Sequence, residues 1–385
     1  MLIESFFYIF SGAAVLACIA MYGRQPLLIS YIVLGIVVGP YGLGLVENIT
    51  LLNEASEIGI IFLLFLIGLD MQPSALIAVL KKATNITVAS SLIFASIGYS
   101  FSILWGFSQT DALVIGAAMM FSSTIIGIKL LPTTALHHKH SGELMIGLLL
   151  LQDFLAIFVL ILLLSGKTGT LDFMAFGKAL LAVPVIATAA FFVTKKILLP
   201  IISKFDRVSE FTFLVAIGWC LGVAQLAQFM GLSLEIGAFI AGITLATSPI
   251  SQYIALSLKP LRDFFLVVFF FAIGAGFNIG MLATIALPAV ILAVLVLGLK
   301  PLIFRFLLST QAESKQLAWD LGFRLGQISE FSLLIVFLAV ESALISERAS
   351  LLVQATAILT FLVSSYIVVF NYPNPIAVTD RLRRD

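Results

Sequence analysis

A single acid, Asp153, interrupts Gly147–Leu164, GLLLLQDFLAIFVLILLL, a run otherwise free of charge and long enough to cross a membrane. Gln152 precedes it. A helix from about Ser141 to Ser165 puts Asp153 near its middle, close to bilayer mid-depth at a rise of ~1.5 Å per residue. A carboxylate there is unfavourable by several kcal/mol, so it must face protein or a water-filled path, and such residues mark ion or proton routes. The competing reading is an acid held neutral by a neighbour for packing.

Two further segments carry polar clusters at membrane depth. Ser122, Ser123 and Thr124 interrupt 109–131, flanked by Gly116 and Gly127; Gln327, Ser329 and Glu330 interrupt 316–340, preceded by Gly322 and Gly326. Helices that break at corresponding places in two halves of a chain point to a transport site, because unwound carbonyls and helix ends can face an ion. Serine hydroxyls bonded back to the preceding turn of an unbroken helix are the alternative for the first cluster. Lys300 ends the stretch AVLVLGLK ahead of Pro301. It reads either as a lysine snorkelling to the surface or as an ammonium that pairs with Asp153 when no ion is bound.

Other polar residues promise less. Asp70 lies at the end of its span and shapes a helix terminus, and Glu235 falls near the outer surface. His137, His138 and His140 can sense pH or bind a metal, but HHKH reads first as a solvated loop. The sequence holds no Gly-rich phosphate loop, nucleophile constellation or HExxH-type metal motif, so an enzyme is not expected. No resident cofactor or metal is expected either.

The elements that carry these residues must be membrane helices. The chain is 61% hydrophobic and 11% charged, against about 45–50% and ~25% in soluble domains. Its net charge of +1 gives no case for nucleic-acid binding. Cys18 and Cys220 both lie in apolar segments, which argues against a disulfide. The N-terminus lacks a basic region and a cleavage site, so its first apolar run reads as a mature helix. About 13 hydrophobic segments are expected: 4–22, 26–44, 54–70, 84–106, 109–131, 141–165, 173–196, 208–230, 233–247, 263–277, 280–306, 316–340 and 349–371. Residues 73–82 and 250–262 read as short interfacial connectors. With the N-terminus outside, basic clusters such as Lys81–Lys82, Lys195–Lys196 and Arg383–Arg384 fall in the cytoplasm, while the outside receives only Lys167, Lys178 and Arg348. That bias predicts an outer N-terminus and a cytoplasmic C-terminus.

A weak internal repeat appears at an offset of about 206. LGIVVG at Gly35 aligns with AGITLA at Gly242, FLLFLIGLD at Gly68 with VVFFFAIGA at Gly274, and MMFSSTIIG with RLGQISEFS. An odd number of spans separates the copies, so the second is inverted. Residues 1–165 form the first repeat, 173–196 a linker helix, 208–371 the second repeat and 372–385 a cytoplasmic tail.

On these residues the sequence resembles the monovalent cation/proton antiporter superfamily, and within it the Kef-type potassium efflux proteins. IGAFIAGITLA, LKPLRDFFLVVFFFAIGAGFNIG, FSSTIIG, LLQDFLAI and LGQISEF carry the likeness over essentially the whole chain. The resemblance implies an all-α polytopic membrane fold of the sodium/proton antiporter kind, with inverted repeats and two crossed broken helices. It implies Asp153 as the proton- and cation-carrying carboxylate and Gln152 as its neighbour. Ser122, Ser123, Thr124, Gln327 and Glu330 then fall at the crossing, and Lys300 matches the family's basic residue. A homodimer in the bacterial inner membrane is implied as well. Kef-type proteins continue into a cytosolic nucleotide-binding regulatory domain, whereas this sequence stops at Asp385 after RLRR.

The reading that follows is exchange of potassium for protons by alternating access, with both competing for Asp153. The rivals are a gated passive potassium channel on the same scaffold, a sodium/proton antiporter, and a sensor or intramembrane enzyme that keeps the fold. A TVGYG-type filter is absent, which weakens the channel.

Overall fold

The computed structural model describes residues 2–46, 49–70, 73–123, 127, 140–164, 173–205, 209–248, 250–311 and 313–373. Among them regular structure is helical throughout: α1 Leu2–Tyr22, α2 Leu27–Val38, α3 Ile49–Asp70, α4 Pro73–Leu104, α5 Gln109–Met119, α6 His140–Leu164, α7 Phe173–Val193, α8 Leu199–Lys204, α9 Ser209–Phe229, α10 Leu234–Ala246, α11 Ile250–Ala275, α12 Leu282–Thr310, α13 Lys315–Arg324, α14 Glu330–Glu341 and α15 Glu347–Asn371. Seven of the described helices are long and apolar enough to cross a membrane by themselves. The fold is that of a polytopic helical membrane protein.

The helices follow the expected segments, with two extensions. Residues 73–82 are not a separate connector but the first turns of α4, which starts on Pro73, where a missing N–H is harmless. Residues 250–262 likewise run without a break into α11. Ser251, Ile254 and Leu258 are buried at helical spacing while Gln252, Leu256 and Lys259 are exposed. That stretch is an amphipathic helix continuing into the span. α7 ends in a wide π turn, Thr194–Leu198, before α8. Pro200 can donate no backbone bond, and local widening of the ladder accommodates it.

Two compact units are present: 1–46, 78–159 and 273–385 form one, and 47–77 with 160–272 the other. In the second, α10 packs on α3, α7 and α9. Gly242 of α10 and Gly68 of α3 leave no room for a Cβ, which on Gly68 would sit 2.5 Å from the Phe239 carbonyl oxygen. Small residues that let backbones touch are the usual glue between helices in lipid, where hydrophobicity cannot drive association. In the first unit, Gly274 presses in the same way on the backbone of α2 at Ile32. The helix bounds show the same correspondence, since α1 and α9, and α6 and α15, start and end about 207 residues apart.

Candidate functional site: the crossing of two broken helices

All the described site residues belong to the first unit. α5 stops at Met119, and Phe121–Ser123 carry no regular structure. α13 stops at Arg324, and the chain resumes as α14 at Glu330. Each break frees carbonyl and N–H groups that have no water to turn to, so each must find a protein partner.

The partners are nearly all polar side chains at the crossing. Ser122 Oγ donates to the Leu325 carbonyl at 2.9 Å. Gln327 Nε2 donates to the Arg324 carbonyl at 2.9 Å and to that of Ser123 at 3.5 Å. Ser332 Oγ donates to the Ala118 carbonyl at 2.5 Å. On the donor side, the Ser122 N–H reaches Gln152 Oε1 at 2.9 Å, and the Ile328 N–H reaches Thr360 Oγ1 at 3.4 Å. Ser329 caps α14, its side chain accepting from the Phe331 N–H while its own N–H donates to Ser332 Oγ. Ser364 Oγ completes the set by donating to Gln327 Oε1 at 2.8 Å.

Lys300 enters from α12. Gly322 permits this, because a Cβ there would lie 2.8 Å from the Pro301 carbonyl oxygen. The ammonium donates to the Phe121 carbonyl at 2.6 Å, the Gln327 carbonyl at 3.0 Å and Ser122 Oγ at 3.3 Å. An ammonium has three donors, and here three acceptors, one or two from each break, use them. Its fourth neighbour is the Phe94 ring, 5.1 Å from Nζ. Only 1% of Lys300 is exposed, which removes the snorkelling reading. No ion pair joins it to Asp153 among the described residues.

Asp153 sits one residue beyond Gln152 on α6, 7% exposed. Glu330, in the first turn of α14, is near enough for the two carboxylates to repel each other when both are charged. A carboxylate at that helix end is favoured by the macrodipole. The structure therefore gathers Gln152, Ser122, Ser123, Gln327 and Lys300 at one crossing, with Asp153 and Glu330 beside it. Thr124, His137 and His138, and the tail 374–385, lie outside the described residues. Among those described, no cluster of three or more His, Cys, Asp or Glu gathers that could hold a metal.

Sequence reading missed several participants. Ser332, Thr360 and Ser364 read as ordinary small residues of apolar helices, although the four-residue spacing of Thr360 and Ser364 put both on one face. Phe94 and the Leu325 carbonyl gave no signal.

Comparison with known proteins supplies the family. The transmembrane sodium/hydrogen exchanger family matches residues 6–370. The chain belongs to that family. K(+) efflux antiporter 4 of Arabidopsis thaliana is 28% identical over 363 residues, covering 91% of this chain and 60% of that protein. The iron transporter MagA of Paramagnetospirillum magneticum is 30% identical over 346 residues, covering 89% and 79%. The chain thus spans about 60% of the length of the Arabidopsis relatives it matches. In fold it is similar to the sodium proton antiporter MjNhaP1 of Methanocaldococcus jannaschii, with a TM-score of 0.70, 17% identity, and coverage of 95% of this chain and 98% of that one. The expected cation/proton antiporter superfamily and its fold class are therefore established.

Proposed function

We propose that this chain exchanges a monovalent cation, potassium, for protons by alternating access, with Asp153 as the carboxylate both compete for. One observation carries the reading. Four charged side chains are buried among the described residues: Asp111, Asp153, Lys300 and Arg324. Asp111 accepts from the N–H of Ser346, the residue that caps α15, at 2.8 Å and from its Oγ at 3.1 Å. Arg324 is bonded to Asp320, and Lys300 is saturated at the crossing. Asp153 alone makes no hydrogen bond or ion pair with a described residue. A buried charge held by fixed partners is structural, whereas one that exchanges its partner must be left open for a proton or an ion.

Potassium is favoured by the names of the Arabidopsis relatives and by Gln152, which adds no second charge beside Asp153. Because Lys300 is spent on the crossing, Asp153 exchanges one cation for one proton, and the cycle is electroneutral. The repeats 1–165 and 208–371, joined by the linker 173–196, supply the two inverted halves. The protein works as a homodimer in the bacterial inner membrane, with its N-terminus outside and its C-terminus in the cytoplasm. A cytosolic nucleotide-binding domain regulates it where the chain continues beyond Asp385.

The test is reconstitution in liposomes carrying an internal pH dye, with an outward potassium gradient and an ionophore clamping voltage. Wild type moves protons under clamp and Asp153→Asn does not; sodium in place of potassium gives the selectivity. Potassium flux that carries no protons and survives Asp153→Asn would establish the channel instead.

A further inference from the structure

A second buried cation, Arg324, adjoins the crossing. Arg324 ends α13 and is 1% exposed. Its Nε donates to Asp320 Oδ1 at 2.7 Å, and its Nη2 donates to the Pro373 carbonyl at 2.7 Å. Pro373 lies just beyond α15, where the chain leaves its last span. The neighbouring Tyr372 ring is 6.0 Å from the guanidinium and 5.6 Å from the Phe323 ring. Phe323 stacks on Trp319 at 5.4 Å, and Arg305 of α12 lies 4.6 Å over Trp319. Three elements are thus layered around the exit segment.

The other side of the same residue belongs to the ion site. The Arg324 carbonyl accepts from Gln327 Nε2, and the next carbonyl, Leu325, accepts from Ser122 Oγ. Gln327 in turn offers its own carbonyl to Lys300. One turn of backbone therefore separates the exit segment from the crossing. An arginine fork suits this task, since its planar donors fix direction as well as distance.

We propose that Arg324 is a positioning residue of the ion site, and that its clasp on Tyr372–Pro373 makes the exit segment part of the transport machinery. A ligand or load acting on the chain beyond Pro373 is read at the crossing through this clasp. The transport consequence rests on the antiport reading above; the clasp itself does not.

Two readouts separate these. Wild type is compared with Arg324→Gln, Arg324→Lys, a chain ended after Asn371, which lacks the clasped residues, and a chain ended after Pro375, which keeps them. Amide hydrogen exchange at 325–329 rises about tenfold in Arg324→Gln and in the chain ended after Asn371. Combining the two adds less than their sum, because the Arg324–Pro373 bond is lost in both. The chain ended after Pro375 matches wild type. In proteoliposomes the same two variants raise the KM for the cation about fivefold or more with kcat within about twofold, as expected for a displaced site, and Arg324→Lys recovers part of the loss. Unchanged exchange at 325–329 in the folded chain ended after Asn371, or additive effects of the truncation and Arg324→Gln, would overturn the clasp. Exchange that responds in a wild type showing no antiport would retain the clasp and reject only the activity.

Discussion

Lys300 offers the sharpest separation between a strut and a counter-charge. Replacing it with methionine keeps much of the side-chain volume and removes the ammonium. The Phe121 and Gln327 carbonyls then lose a charged donor at 2.6 and 3.0 Å inside the membrane. Each orphaned carbonyl costs about 1–3 kcal/mol, and the lost contact with the Phe94 ring adds ~1–2 kcal/mol. Relief from burying an ammonium offsets part of this. The net expectation for Lys300→Met is a destabilisation of about 3 kcal/mol, the scale seen when one partner of a buried charged cluster is removed.

Stability alone does not distinguish the two roles, but coupling does. In a double-mutant cycle followed by unfolding in detergent, Lys300→Met and Ser122→Ala should couple by about 1 kcal/mol, since Ser122 Oγ accepts from the ammonium. Lys300→Met and Asp153→Asn should couple by less than ~0.5 kcal/mol, because no ion pair joins them in this state. Coupling above ~1.5 kcal/mol between positions 300 and 153, with the double variant more stable than Lys300→Met, would refute the strut and restore the counter-charge.

Gln152→Leu strands the buried Ser122 N–H and should abolish proton-coupled flux while Gln152→Glu, which still accepts that bond, keeps the fold and alters the pH profile of flux; flux unchanged in Gln152→Leu would show that the bond is idle. Gly242→Ala forces α10 off α3 and should lower the unfolding midpoint by the equivalent of about 1–3 kcal/mol, whereas Gly218→Ala on α9, with open space at its Cβ, should move it by less than about 0.5 kcal/mol. Equal shifts at the two glycines would mean that backbone contact does not hold this unit together.

The span pattern, the Gln152–Asp153 pair and the two breaks were legible because each is a violation of a simple rule. A charge inside an apolar run and a Ser–Ser or Gln–Ile–Ser interruption of a span stand out against lipid energetics. The aligned glycines also stood out, because the close approach of α3 and α10 demands residues without a Cβ. What remained hidden was partnership. Nothing in AVLVLGLK tells whether its ammonium meets a carboxylate or two carbonyls; that depends on where α12 passes the breaks, and Gly322 controls it from another segment. Thr360 and Ser364 obeyed every rule for a buried helix face and so announced nothing. The start of α11 differs from the connector expected over 250–262, because the burial of Ile254 and Leu258 that makes it an amphipathic helix is a tertiary fact.

Breaking a helix inside a membrane creates a local excess of carbonyl oxygen, and the distribution of charge in this bundle follows from it. The ends of α5 and α13 present the negative poles of their helices to a common region, where water cannot answer them. Two buried cations flank that region: Lys300 takes the Phe121 and Gln327 carbonyls, and Arg324 extends the turn outward to Pro373. Once those charges are fixed, the backbone no longer competes for a passing cation through the oxygens they occupy. Among the described residues, Asp153 and Glu330 are the carboxylates beside the site, and they repel each other when both are charged. On the proposed reading, exchange at Asp153 depends on the breaks being satisfied by other means, and substitutions that free the crossing carbonyls should weaken exchange even where Asp153 is intact.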